Sequence, residues 1–121
     1  MKQNPAFSRC IDRIEKEEFV SLFLSCNAES WFSPRELQEF SFPKNARSLA
    51  GRYLIKKTIC EYIRENEKMH DIEILNDDFG KPEVLLSSDI GHLIELAGIK
   101  KILCSISHSR NLIIGMTIFC F

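Results

Sequence analysis

The chain has 121 residues, 45% hydrophobic and 27% charged, with 16 Lys+Arg against 17 Asp+Glu. This length and apolar content suit one compact domain, residues 1–121, and exclude a disordered chain, which cannot offset its ordering entropy. A net charge of −1 gives no bulk attraction to nucleic acid or to an anionic membrane, so any anion recognition has to come from local clusters.

The N-terminal Met1-Lys2-Gln3-Asn4-Pro5 leads into a charged stretch and not into a signal-peptide core. Residues 11–24 read as an amphipathic helix, with Ile11, Ile14, Phe19 and Leu22 near helical spacing and Glu15-Lys16-Glu17-Glu18 on a solvated face. Ser33-Pro34-Arg35-Glu36 is a helix start: a serine cap, proline at the first position, and Glu36 closing a capping box. That helix runs through Leu37 and Phe40 and ends before Pro43. The longest helix extends from Asn45 or Ala46 to Ile63, with Gly51 as its internal weak point. Residues 72–75 and 83–86 are short strands around the turn-rich segment 76–82, which predicts a hairpin. Residues 89–97 form a brief helix closed by Gly98. Residues 101–107 and 112–121 form a final strand pair, and the last is expected to be central because it is apolar on both faces. That run is interrupted by Gly115 and Thr117 and is too short to span a bilayer, so no membrane association and a cytoplasmic location are expected. Helices first and strands later predict an α+β domain, helices packed on a small, mainly antiparallel sheet.

Five scattered cysteines (Cys10, Cys26, Cys60, Cys104, Cys120) without a C-x-x-C pair read as reduced thiols. His70, His92 and His108 do not pair with them at zinc-ligand spacing. The long helix carries Arg47, Arg52, Lys56 and Lys57, and its patterning contains a conflict. Leu49, Tyr53, Cys60 and Ile63 form an apolar stripe, with Lys56 in its middle and Arg52 on its margin. An ammonium there costs several kcal/mol unless paired or wet. Lys56 therefore either snorkels or pairs with a carboxylate, or joins Arg52 in an anion site. Ser105-Ile106-Ser107-His108-Ser109 places Ser105 and Ser107 on one strand face and His108 at the strand end, suited either to a phosphate or to turn formation. Gly80-Lys81-Pro82 reads as a turn. No Walker loop, dinucleotide fingerprint, H-E-x-x-H or G-x-S-x-G is present.

Taken in order, Trp31-Phe32-Ser33-x-x-Glu36-Leu37, Arg47-x-Leu49-Ala50-Gly51-Arg52-Tyr53-x-x-Lys56, Asp71-Ile72-Glu73-Ile74-Leu75-Asn76-Asp77-x-x-Gly80-Lys81-Pro82 and Ser105-Ile106-Ser107-His108-Ser109 resemble the holo-[acyl-carrier-protein] synthase type of 4′-phosphopantetheinyl transferase. The resemblance covers residues 31–121 and reaches toward the start through Ile11-x-Arg13-Ile14. It implies a homotrimer holding coenzyme A in clefts between subunits. It also implies Mg²⁺-dependent transfer of phosphopantetheine from coenzyme A to a serine of an acyl carrier protein, the priming reaction of fatty acid biosynthesis. By position, Arg47, Arg52 and Lys56 would lie near the coenzyme A phosphates, and Lys81, Pro82, Ser105, Ser107 and His108 on the nucleotide side of the cleft.

Four elements depart from the family pattern. Its metal-binding glutamate on the long helix is Lys57 here, and its phosphate-serving lysine one turn later is Glu61. As an i,i+4 pair the two still attract each other, yet a cation at the metal position repels Mg²⁺. The family's first-strand aspartate falls on Phe7, given the helical reading of residues 10–19, or on Asp12 with gaps placed differently. A glycine-rich loop is replaced by Arg64-Glu65-Asn66-Glu67-Lys68, and a histidine by Cys104. The expected protein is a divergent member that recognises coenzyme A and a carrier protein with transfer impaired or lost. The alternatives are an active transferase drawing metal carboxylates from Glu61, Asp12 or Glu73, and a non-catalytic structural partner subunit.

Overall fold

The computed structural model describes residues 6–25 and 27–121; the N-terminal segment read above for targeting signals and Cys26 lie outside them. Nine main elements follow in chain order: β1 (Phe7–Glu15), α1 (Lys16–Ser25), α2 (Pro34–Glu39), α3 (Ala46–Ile63), β2 (Ile72–Asn76), β3 (Pro82–Leu86), α4 (Ser88–Leu96), β4 (Lys101–His108) and β5 (Leu112–Cys120). Short 3-10 turns at Ala28–Trp31 and Met69–Asp71 lead into α2 and β2. The strands form two antiparallel sheets, one of order β1-β5-β4 and the other the β2-β3 hairpin.

The expected helix over residues 11–24 is corrected. Residues 7–15 form a strand that pairs antiparallel with β5 along its whole length, from Phe7 opposite Cys120 to Glu15 opposite Leu112. Ile11 and Ile14, three apart, fit a helical stripe and also fit opposite faces of a strand. Ile11 is 62% exposed and Ile14 is 6% exposed, as alternation requires. A full ladder with a partner strand about 100 residues away outweighs local propensity. Only Lys16 onward is helical, and Phe19 anchors α1 in the core.

Elsewhere the local signals hold. The Ser33 hydroxyl accepts from the Glu36 N–H and the Glu36 carboxylate accepts from the Ser33 N–H, closing the capping box at α2. Ser87 caps α4 at its start, and Gly98, with φ of +79°, follows its end. β5 is the central strand. Helix α3 lies across one face of the three-stranded sheet, its residues Leu49, Ala50, Leu54, Ile55 and Ile59 buried with Ile113 and Phe119 of β5. The close approach explains the glycine inside α3. A Cβ on Gly51 would come within 2.3 Å of the Ile106 Cγ2, and one on Gly115 within 3.0 Å of the Leu54 Cβ.

Among the described residues, no helix covers the opposite sheet face. Ile11, Leu103, Ile114, Met116 and Ile118 point to that side by strand alternation, and Leu103 is 43% exposed.

Candidate functional site

Lys56 resolves the patterning conflict as an internal ion pair. Its side chain and that of Glu36 are both fully buried. The Lys56 Nζ donates to Glu36 Oε1 and, at 2.8 Å, to the Trp31 carbonyl. Glu36 Oε2 accepts from the Ile74 N–H at 2.9 Å. One carboxylate thus caps α2, holds β2 and neutralises α3. Burial pulls the Lys56 pKa down, and Glu36 opposes that shift. With its side chain fully buried and two of its three donors held by Glu36 and the Trp31 carbonyl, Lys56 serves the fold as an internal cation.

Arg52 is also largely built into the fold. Its Nε donates to the Ile74 carbonyl at 2.7 Å and its Nη2 to Asn76 Oδ1 at 2.9 Å, while the guanidinium lies 3.7 Å from the centre of the Phe40 ring. Burial lowers its pKa, opposed by Glu36 and Glu39. Unlike Lys56, it reaches a small recess of about 170 Å³ that it shares with Asn76, Gly80, Pro82 and His108. The Asx-type turn shapes this edge: Asp77 Oδ1 accepts from the N–H groups of Phe79 and Lys81, and Gly80 takes φ of +79°. The structure therefore brings Arg52, Pro82 and His108 together.

The other expected residues stand apart from that recess. Lys81 borders a separate groove of about 550 Å³ between β3 and β4, with Lys100 and Lys101. Arg47 clasps the turn after β4, donating from Nε and Nη2 to the Arg110 carbonyl at 3.0 and 2.7 Å. Ser105 and Ser107 are exposed and point to the bare sheet face, while Ile106 and Cys104 point inward. Within one chain the serines and Arg52 are on opposite sides of the sheet.

Lys57 lies on a different face of α3. Its Nζ is 3.4 Å from Asp12 Oδ2, and Asp12 Oδ1 accepts from the Arg13 N–H at 2.8 Å. Burial depresses the Lys57 pKa, but Asp12, Tyr53 and Glu61 outweigh it and hold the ammonium above the ordinary lysine value. The acid that meets the long helix is thus Asp12. Phe7 is 65% exposed and pairs with Cys120, five residues along the strand and so about 17 Å away. The preference for Phe7 depends on a helix over residues 10–19, of which residues 10–15 are strand. Glu73 is committed elsewhere: it accepts from the Ser33 hydroxyl at 2.6 Å and pairs with Arg35. Glu61 is exposed beside Lys57, on a recess of about 240 Å³ that also reaches the stacked rings of Trp31 and Tyr53.

These residues do not fit a divalent metal. Asp12 has both oxygens engaged, one of them by an ammonium, and no group of three His, Cys, Asp or Glu converges among the described residues. In place of the glycine-rich loop, Arg64 closes α3 in the left-handed region at φ of 59°. Cys104 sits by Pro82, its thiol directed to the Pro82 carbonyl. Burial pushes the Cys60 and Cys104 thiols up to about 11, so both are inert at neutral pH. The four described cysteines are free. No described helix is long and apolar enough to cross a membrane.

No family model matches the chain. It is 34% identical over 113 residues to the holo-[acyl-carrier-protein] synthase of Geotalea daltonii, covering 89% of this chain and 90% of that protein. It is 35% identical over 122 residues to the enzyme of that name from a Geobacillus species, covering 98% and 81%. Among solved structures, the ACPS–CoA complex of Chronobacterium ammoniagenes superposes with a TM-score of 0.78, covering 94% of this chain and 96% of that one at 20% identity, a likeness that speaks for the fold.

Proposed function

Because this chain belongs to the holo-[acyl-carrier-protein] synthase family, we propose that it binds coenzyme A, recognises an acyl carrier protein, and transfers phosphopantetheine poorly or not at all. The observation that carries this reading is the Asp12–Lys57 pair at 3.4 Å. In the transfer, the carrier's serine oxygen bonds to the phosphorus that bears the pantetheine arm. The pyrophosphate P–O bond breaks, the serine proton must be accepted, and 3′,5′-ADP leaves. Cationic groups can neutralise the phosphates. A metal would in addition orient them and activate a base, and the residues around Asp12 and Lys57 do not fit one.

Support for coenzyme A comes from the recess that unites Arg52, Gly80, Pro82 and His108, and from the solved relative named as a complex with it. Arg52 supplies the charge there, Pro82 and Gly80 shape the wall, and His108 closes the strand end. The outward Ser105 and Ser107 would join the site across a subunit boundary, as a homotrimer assembled on the bare sheet face allows. In this reading residues 1–121 act as one domain. An active Mg²⁺-dependent transferase would require Asp12 to release Lys57 and Glu61 to turn inward.

The test mixes the protein with coenzyme A, Mg²⁺ and an apo carrier protein and follows the carrier by mass spectrometry, with coenzyme A binding read by calorimetry. The expected result is measurable binding and little or no phosphopantetheinylated carrier. Rapid, complete conversion would establish the active reading. Absence of both binding and product would leave a structural partner subunit.

A further inference from the structure

Lys56 and Lys57 are adjacent, and the fold uses them in opposite ways. Lys57 leaves α3 about 100° further round the helix than Lys56 and faces β1. Among the described residues its Nζ has one hydrogen bond, to Asp12, although an ammonium carries three donors. Its side chain keeps 41% of its surface and that of Asp12 keeps 34%, beside the recess bordered by Tyr53 and Glu61. Lys56 is wholly buried, and its partners Glu36 and Trp31 are internal. One lysine holds the fold together. The other presents an oriented cation to solvent with donors to spare.

Charge balance points the same way. Two carboxylates with a divalent cation sum to zero, and so do one carboxylate and one ammonium. A further cation brought to Asp12 would have to displace Lys57 or share the carboxylate with it at roughly 4 Å, where like unit charges repel by about 1 kcal/mol in bulk water and by more beside protein. No third acid converges among the described residues to compensate.

We propose that the Lys57 ammonium, oriented by Asp12, is the resident countercharge for a pyrophosphate in this protein, so that coenzyme A binds without a divalent metal. This rests on the coenzyme A reading above. An ammonium supplies one positive charge and directional donors, but it coordinates no water and activates no hydroxyl. It therefore serves ground-state binding more than transfer.

Calorimetric titration of the full chain with coenzyme A, in Mg²⁺ and separately in EDTA, tests this. The expected affinities agree within about twofold, and Lys57→Gln weakens both by about tenfold, the loss of one charge-assisted contact. The variant Lys57→Glu with Glu61→Lys keeps the net charge and is expected to make binding Mg²⁺-dependent. In parallel, the wild-type chain without coenzyme A should leave the electron paramagnetic resonance spectrum of free Mn²⁺ unchanged. Wild-type affinity rising about tenfold or more with Mg²⁺, stoichiometric Mn²⁺ uptake, or Lys57→Gln binding as the wild type does would each overturn the proposal and leave the coenzyme A reading intact. No binding in either buffer would overturn both. The wild-type comparisons stand whether or not the variants fold.

Discussion

A lysine in the apolar stripe of α3 is visible as an anomaly in the sequence, because an unpaired ammonium there would cost several kcal/mol. Its resolution is not visible, since Glu36 is 20 residues away and already has a complete local role in the capping box. The pair makes Lys56 a structural residue. Lys56→Met is expected to destabilise the protein by about 3–5 kcal/mol, because it leaves the Glu36 carboxylate buried and uncompensated; urea unfolding measures this. Coenzyme A affinity per folded molecule should hardly change. A small stability loss with a large affinity loss would instead make Lys56 a phosphate ligand. Arg52 lies between the two roles, hydrogen-bonded to β2 and yet open to the recess with His108. Sequence reading brought Arg52, Pro82 and His108 into one site, and they do meet. It groups Lys56 with them, but residue type and helical spacing carry no information on Glu36, the partner that lies across the gap.

At the scale of elements, signals complete within a few residues were readable. The α2 capping box, the Gly98 stop and the β2-β3 hairpin are examples, and even the outermost hairpin pair, Ile72 with Leu86, is close in the chain. β1 was not readable, because its stability comes from β5 at the far end of the chain. A helix over residues 10–19 would favour Phe7, whereas the strand sets Asp12 opposite Gly115 and under α3. Gly51, a weak point of α3 by helix propensity, is where the helix meets the sheet. Gly51→Ala forces a Cβ to 2.3 Å from the Ile106 Cγ2, and the expected overpacking cost is about 1–3 kcal/mol, despite the better helix propensity of alanine. Thermal or urea unfolding reads it. Ile106→Ala in the same chain should relieve part of the strain, and strictly additive losses would show that the clash is not the cause.

For the whole molecule, the sheet is covered by α3 on one side and bare on the other, with Ile11 at 62% and Leu103 at 43% exposure. On that face Ile11, Leu103, Ile114, Met116 and Ile118 alternate with Arg9, Arg13, Ser105 and Ser107, and an uncovered sheet face of mixed apolar and polar residues can serve self-association. The proposed trimer would bring Ser105 and Ser107 to a neighbour's cleft. Ammonium groups introduced by Leu103→Lys with Met116→Lys should convert the assembly to monomers in light scattering and lower coenzyme A affinity with it. A wild-type chain that is monomeric at high concentration would refute the shared-cleft reading.

By itself the sequence determined the family, the α+β class and the position of α3, because motif order and helical periodicity are properties of the chain alone. Tertiary structure decided which cation is structural and which is presented, and that Asp12 is the acid facing Lys57. Those assignments depend on a strand ladder and a buried ion pair between distant segments, whose energies exist only once the segments have come together.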